Sequence, residues 1–272
     1  MTTSRQSFAS INLLHITDFH LLADPSRTML GINTDESFQM VLEQISEFPF
    51  KPDLFLLTGD LVQDAEASTY ERLRTQLDQL PAPVYCLPGN HDDPELMQSV
   101  LEDQRQIFIQ PHISLLGWDI VCLNSTIPNN PCGSLPKSEL ALLDETLSAI
   151  PAHHHALVAF HHPPFAVGSK WLDTMMIGNA EELWEVLERH ETVRAIVLGH
   201  VHQELDEMIG RYRVLASPST CFQFRPRSDE FAIDAVPPGF RWIRLGEDGR
   251  IDSGVERLTR VPAGLDTFSA GY

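Results

Sequence analysis

Residues 87–93 read LPGNHDD, where an apolar run gives way to polar side chains. Leu87 and Pro88 close the apolar run VYCLP, Gly89 breaks it, and an amide and an imidazole follow side by side. Two readings compete. Gly and Asn are ordinary turn formers, and Asn can bond its own backbone or tolerate a left-handed conformation, so a plain turn would suffice. Alternatively the run is a buried strand that delivers Asn90 and His91 to a site, because ligands in α/β sheets bind outside the carboxyl ends of strands.

The same pattern recurs along the chain. INLLHIT runs into Asp18 and His20, DLFLLT into Gly59 and Asp60, ALVAF into His161, and VRAIVLG into His200 and His202. The β-branched and aromatic content of these runs suits buried strands. Amphipathic helix patterns lie between them. Phe38, Val41, Leu42, Ile45 and Phe48 share a face behind an Asn33/Thr34 cap; Tyr70, Leu73, Leu77 and Leu80 mark a second helix. Leu140, Leu143, Leu147 and Ile150 mark a third, opened by Ser138, and Asn179 with Glu182 opens a fourth that contains Leu183, Trp184 and Leu187. The stretches 112–123, 205–216 and 240–258 read instead as hairpins around glycine-containing turns. Alternating strands and helices with added hairpins predict an α/β layered fold with mixed sheets. The polar clusters extend from Asp18 to His202, so a shared site needs most of the chain, and a single domain over 1–272 is expected, with 221–272 as a hairpin and tail packed on it.

Composition narrows the function. With 43% apolar and 21% charged residues, the chain has the profile of a folded soluble protein. MTTSRQSFAS carries no long apolar core, and no run of about 18 apolar residues occurs, so neither a signal peptide nor a membrane-spanning helix is expected. Cys86, Cys122, Cys132 and Cys221 are scattered without a C-x-x-C pair, which favours a reducing cytoplasm over a disulfide framework. The formal charge of −19 repels polyanions and argues against nucleic-acid binding. A phosphate substrate would therefore need local positive charge.

The side chains delivered at the strand ends are carboxylates, imidazoles and one amide, a set suited to first-row ions such as iron, manganese or zinc. Thiolates are absent from it, which argues against a structural cysteine-type zinc site. Residues two apart on an extended segment point the same way, so Asp18 with His20, and His200 with His202, are expected to face one point. A lone D-x-H or H-x-H is weak. Five clusters each following an apolar run are not explained by packing, because burying so many unpaired polar groups costs several kcal/mol each.

The series DFH (18–20), GD (59–60), GNHD (89–92), His161 and GHVH (199–202) resembles the signature of the calcineurin-like metallophosphoesterases, with every element present and in order. The resemblance implies a four-layer αββα sandwich of two mixed β-sheets flanked by helices. LHITDFHLLAD, LGINTDESFQMVL, WLDTMMIGNAEEL, GHVHQELD, SPSTCFQFRP, PGFRWI and the AGY ending extend it to the bacterial class III 3',5'-cyclic AMP phosphodiesterases over nearly the whole chain. Carried over by position, it implies two divalent ions, iron or manganese in the first place and zinc as an alternative. Asp18, His20, Asp60 and His202 would hold one, and Asp60, Asn90, His161 and His200 the other, with Asp60 bridging.

The expected reaction is in-line attack on cyclic AMP by a metal-bound hydroxide, with the 3'-oxygen leaving and 5'-AMP as product. His91 is the candidate proton donor. Asp92 could hold its ring or simply cap the turn. The phosphate is expected among His20, Asp60, Asn90, His91 and His202, and Phe222 could stack on adenine or pack in the core. His162 is read as supporting or structural because neighbours on a strand face opposite sides, His153–His155 as a solvated loop, and Lys170 and Trp171 as an entrance loop. A broader diesterase acting on 2',3'-cyclic nucleotides or glycerophosphodiesters, or a monoesterase, uses the same metal motifs. A non-catalytic scaffold would be expected to have lost ligands. An exposed hairpin or the C-terminal segment could mediate a homodimer.

Overall fold

The structure is a computed structural model that describes residues 9–103 and 105–271; residues 1–8 of the stretch read for a leader, and Tyr272 of the AGY ending, lie outside the described residues. Strands are numbered along the chain. One sheet contains β1 (Ser10–Ile16), β2 (Leu54–Leu57), β3 (Val84–Cys86), β4 (Ile107–Phe108), β13 (Gly239–Gly246) and β14 (Ile251–Arg257), in the order β14-β13-β1-β2-β3-β4. The other contains β5 (His112–Leu115), β6 (Trp118–Cys122), β7 (His155–Phe160), β8 (Val193–Leu198), β9 (Leu205–Ile209) and β10 (Tyr212–Ala216), in the order β5-β6-β7-β8-β10-β9. A small ribbon pairs β11 (Gln223–Phe224) with β12 (Ile233–Asp234).

Both large sheets are mixed. β1, β2, β3 and β4 run parallel, as do β6, β7, β8 and β10, while β5, β9, β13 and β14 join antiparallel. The three hairpins expected from sequence are β5/β6, β9/β10 and β13/β14. The segment after Cys221 therefore supplies two strands to the first sheet, one of them hydrogen-bonded directly to β1.

Six helices are present among the described residues: α1 (Thr34–Glu47), α2 (Ala67–Leu77), α3 (Pro94–Leu101), α4 (Lys137–Ala149), α5 (Lys170–Asp173) and α6 (Ala180–Glu188). The strands alternate between two apolar environments. Leu54 and Leu56 of β2 join Leu13, Ile120, Leu157, Ala195 and Ile243 in a cluster between the sheets, whereas Phe55 and Leu57 face α1, α2 and α3 with Phe38, Leu73 and Met97. A third cluster packs α4 and α6 on the second sheet through Leu143, Leu147, Leu183, Val158 and Ile196. Three apolar layers separate four structural layers, the αββα sandwich that was expected. Strands buried on both faces need apolar side chains at every position, which is why LFLL and ALVAF read as unbroken runs.

Helix starts differ in detail from the sequence reading. Asn33 caps α1 as expected, its side chain accepting from Glu36 N at 3.0 Å. Ser138 does not open α4, which begins after Pro136. Asn179 stands at the start of α6 but turns its side-chain oxygen to Leu135 N, 2.9 Å away. Leu80 lies beyond α2. α3 was not anticipated: Pro94 reads as a breaker, yet proline is well tolerated at the first helical position, and Asp93 caps Glu95 N and Leu96 N.

Leu157, fully buried between the sheets, gives a direct test of this core. Leu157→Ala is expected to cost about 2–5 kcal/mol of stability by transfer and cavity terms, measured as a lower urea midpoint at unchanged slope. A loss below about 1 kcal/mol would contradict a close-packed contact between the sheets.

Candidate metal centre

Parallel pairing brings the carboxyl ends of β1, β2 and β3, and of β7 and β8, to one end of the two sheets. Asp18 and His20 follow β1, Asp60 follows β2, Asn90 and His91 follow β3, His161 follows β7, and His200 and His202 follow β8. The loops after β2 and β3 are pressed together by two glycines. Gly59 has φ +95°, and a Cβ there would overlap the Gly89 backbone; a Cβ on Gly89 would overlap the Asp60 carboxylate. Only glycine at both places lets Asp60 sit against the GNHD turn.

The sequence reading of the pairs needs correction. Asp18, His20, Asp60, His200 and His202 are not extended: their φ values are 56°, 49°, 50°, 67° and 45°. Left-handed conformations at non-glycine residues store strain, about 1–3 kcal/mol each, and here they replace period-two alternation as the device that aims the side chains. Asp18 and His20 do meet, and His202 joins them. His200 turns instead toward Asn90 and His161, so His200 and His202 do not face one point.

On one side, His20 Nε2 lies 3.0 Å from His202 Nε2, and His202 Nε2 lies 3.5 Å from an Asp18 oxygen. On the other, Asn90 Oδ1 lies 3.2 Å from His161 Nε2 and 3.1 Å from His200 Nδ1. Asp60 stands between them, with Oδ2 3.7 Å from His20 Nε2 and 3.3 Å from His161 Nε2. Its Oδ1 accepts from His91 N at 2.9 Å. Asp18 holds the His200 turn, accepting from His200 N at 3.1 Å. All of these side chains are buried except Asn90 and His91, which are half-buried.

The far nitrogens fix the tautomers. His20 Nδ1 faces Gln63 Oε1 at 2.8 Å, His161 Nδ1 faces Thr58 O at 2.7 Å, and His202 Nδ1 faces Phe222 O at 2.9 Å. Oxygens of this kind only accept, so each Nδ1 carries a proton, and in the neutral form of a ring Nε2 then presents a lone pair inward. The lone pairs of His20 and His202 then face one another at hydrogen-bond distance. Something positive belongs between them. A proton on His20 is disfavoured, because burial pulls its pKa down to about 3. A cation removes the conflict without charging a buried ring.

Burial raises the Asp60 carboxyl, but His161 and His91 outweigh it and hold Asp60 well below its ordinary range. Burial lowers His161, yet the Asp60 carboxylate beside it raises the ring to about 9. His200 is held well below its ordinary value by burial, with His162 and His161 adding to the effect. Among the described residues four sets of three side chains lie close enough to hold an ion: Asp18/His20/His202, Asp18/Asp60/His161, His20/Asp60/His91 and His161/His162/His200.

His162, read as supporting or structural, lies past the end of β7, where strand alternation no longer applies, and its ring centroid is 4.8 Å from those of both His161 and His200. Ser125 Oγ holds its Nδ1 at 2.8 Å. The prolines of HHPP were the available signal that the strand had ended. Gln63 had no sequence signal at all. Asp92 takes the capping role, accepting from Gly89 N at 2.9 Å, Leu61 N at 3.2 Å and Tyr70 Oη at 2.9 Å. Burial, then the nearby Asp60 charge, raises its pKa to about 6. Phe222 packs on the His20 and His202 rings and is 1% exposed, the core alternative of the two readings. His154 leaves its loop to bond Asp119 at 2.8 Å. Lys170 and Trp171 begin α5, and Trp171 lines a cavity of about 440 Å³ that Asp60, Asn90, His91 and His200 also line.

Comparison with known proteins agrees with the geometry. The Calcineurin-like phosphoesterase family matches residues 11–204. The chain is 37% identical over 264 residues to the 3',5'-cyclic adenosine monophosphate phosphodiesterase CpdA of Pseudomonas aeruginosa, covering 97% of this chain and 96% of that protein. Against CpdA of Escherichia coli (strain K12) the identity is 38% over 269 residues, with the same coverage of 97% and 96%. The fold is similar to that of a dimetal phosphatase from Danio rerio, with TM-score 0.60, 15% identity and coverage of 91% of this chain and 98% of that one. With its fold, its strand-end side chains and most of its length in agreement, this chain belongs to the calcineurin-like phosphoesterase family.

Proposed function

We propose that the protein hydrolyses 3',5'-cyclic AMP to 5'-AMP at a centre of two divalent ions. Asp18, His20, Asp60 and His202 would hold one ion, and Asp60, Asn90, His161 and His200 the other. The observation that carries this reading is the pair of inward-facing nitrogens on His20 and His202, backed by acceptors that fix their protons elsewhere. The substrate rests on the relatives, which are named cyclic AMP phosphodiesterases and match 97% of the chain. Iron or manganese suits the imidazole and carboxylate set, and zinc also accepts it.

When bound, the ions supply Lewis-acid charge that acidifies a water and stabilises negative charge on the phosphoryl oxygens. The chain does the rest. His20, Asp60, Asn90, His91 and His202 surround the phosphate position. His91, half-buried at the cavity edge, gives its ring proton to the 3'-oxygen as the bond from phosphorus to that oxygen breaks and the bond to the water oxygen forms. Asp92 acts through the turn, keeping Gly89 and Leu61 in place so that His91 stays beside Asp60. Among the described residues no helix is long and apolar enough to cross a membrane, and with a charge of −19 the protein is expected to bind no nucleic acid.

Metal analysis of freshly purified protein, paired with turnover of a substrate panel, tests the proposal. Close to two ions per chain are expected, with cyclic AMP preferred over cyclic GMP, 2',3'-cyclic AMP and glycerophosphodiesters. Exhaustive chelation should lower the rate by at least about 10³-fold, since bound ions account for most of such catalysis, and added Mn²⁺ should restore it. Turnover that survives chelation would defeat the mechanism.

A further inference from the structure

The cavity beside the metal centre has two chemically different ends. One is made of Asp60, Asn90, His91 and His200; the other is aromatic. At about 440 Å³ it lies within the range of small-ligand sites. The phosphate occupies the first end in the reading above, which leaves the second for another part of the substrate.

We propose that the aromatic end is a nucleobase subsite, with Trp171 and Phe231 as the walls that select a purine cyclic nucleotide over diesters lacking a flat heteroaromatic ring. The inference rests on the phosphodiesterase reading of the centre and extends it to the substrate's base. Trp171 and Phe231 are half-buried, while Phe224 behind them is only 2% exposed. The Trp171 ring meets Phe224 edge-to-face at 4.8 Å and Phe231 at 5.1 Å. This makes a corner of inclined faces rather than a collapsed stack.

The corner is built from two separate segments that are tied together. Trp171 stands on α5, where Asp173 Oδ1 accepts from Val167 N at 2.7 Å and fixes the approach to the helix. Phe231 lies in the loop between β11 and β12, and an ion pair from Lys170 to Asp229 links that loop to α5.

Calorimetry on the metal-loaded protein separates the two ends, using 5'-AMP, which reaches both, and orthophosphate, which reaches only the first. Trp171→Ala should weaken 5'-AMP about 5–150-fold, the range for losing an aromatic stacking partner, and raise KM for cyclic AMP in parallel. Orthophosphate affinity should stay within about twofold, because no phosphate contact is removed. Trp171→Phe should recover most of the loss, and Phe231→Ala, measured with its unfolding midpoint, provides the second wall. Unchanged 5'-AMP affinity in both alanine variants overturns the subsite, as does a parallel weakening of 5'-AMP and orthophosphate. Wild-type protein that binds 5'-AMP through Trp171 yet turns over no cyclic AMP would instead sink the catalytic reading and leave the subsite standing.

Discussion

Asp60→Asn is expected to lower cyclic AMP turnover by at least about 10³-fold and to leave the protein with fewer than about one bound ion per chain, as expected when a shared ligand of a two-metal site is lost. The substitution keeps the shape of the side chain and one acceptor oxygen. It removes the charge. Asp60 Oδ2 lies 3.3 Å from His161 Nε2 and 3.7 Å from His20 Nε2, placed toward both sides of the centre. An amide offers a single oxygen to the ions, so it cannot serve both and still accept from His91 N, now 2.9 Å from Oδ1. Folding should survive, because Asp60 sits at the end of β2 rather than within the apolar layers. Metal analysis and an unfolding curve on the same sample check both parts. A variant that retains two ions and more than a tenth of the activity would show that Asp60 is not shared.

Much of this was legible from the order of the residues because each strand carries its own punctuation. Runs such as LFLL and ALVAF are apolar throughout since both of their faces are covered, and the polar residue that follows each run marks the end where the sheet stops. The aim of those residues was not legible. Period-two alternation assumes extended backbone, and Asp18, His20, Asp60, His200 and His202 all depart from it into left-handed conformations, which Asp and His adopt more readily than most residues but still uncommonly. Such strain is maintained by contacts that the sequence does not display: Gly59 against Gly89, Ser219 Oγ donating to Asp18 O at 2.7 Å, and Asp18 itself holding His200 N. The same limit hides Gln63 behind His20 and the cavity wall at Trp171 and Phe231, which come together only after the chain has closed on itself. α3 escaped notice for a local reason: Pro94 argues against a helix everywhere except at its first turn.

His91→Ala should lower kcat for cyclic AMP about 10²–10⁴-fold, the usual worth of a general acid, while KM changes little and both ions stay bound. The geometry separates the ring from the backbone here. His91 N donates to Asp60 Oδ1 and is untouched by truncation at Cβ. The ring stands 5.0 Å from that of His20, centroid to centroid, and is half-buried whereas the imidazoles of His20, His161, His200 and His202 are buried. That position suits a group that meets a leaving oxygen. Its nearness to His20 and Asp60 also makes His91 a conceivable ion ligand, and the leaving group distinguishes the two roles. The ribose 3'-alkoxide is a strong base that needs a proton as it departs; p-nitrophenolate is a weak one that does not. On bis(p-nitrophenyl) phosphate the variant should therefore lose less than about tenfold, because general acid help contributes little to a good leaving group. Equal losses on both substrates would remove the proton-donor role, and loss of an ion with them would reassign His91 to the metal centre.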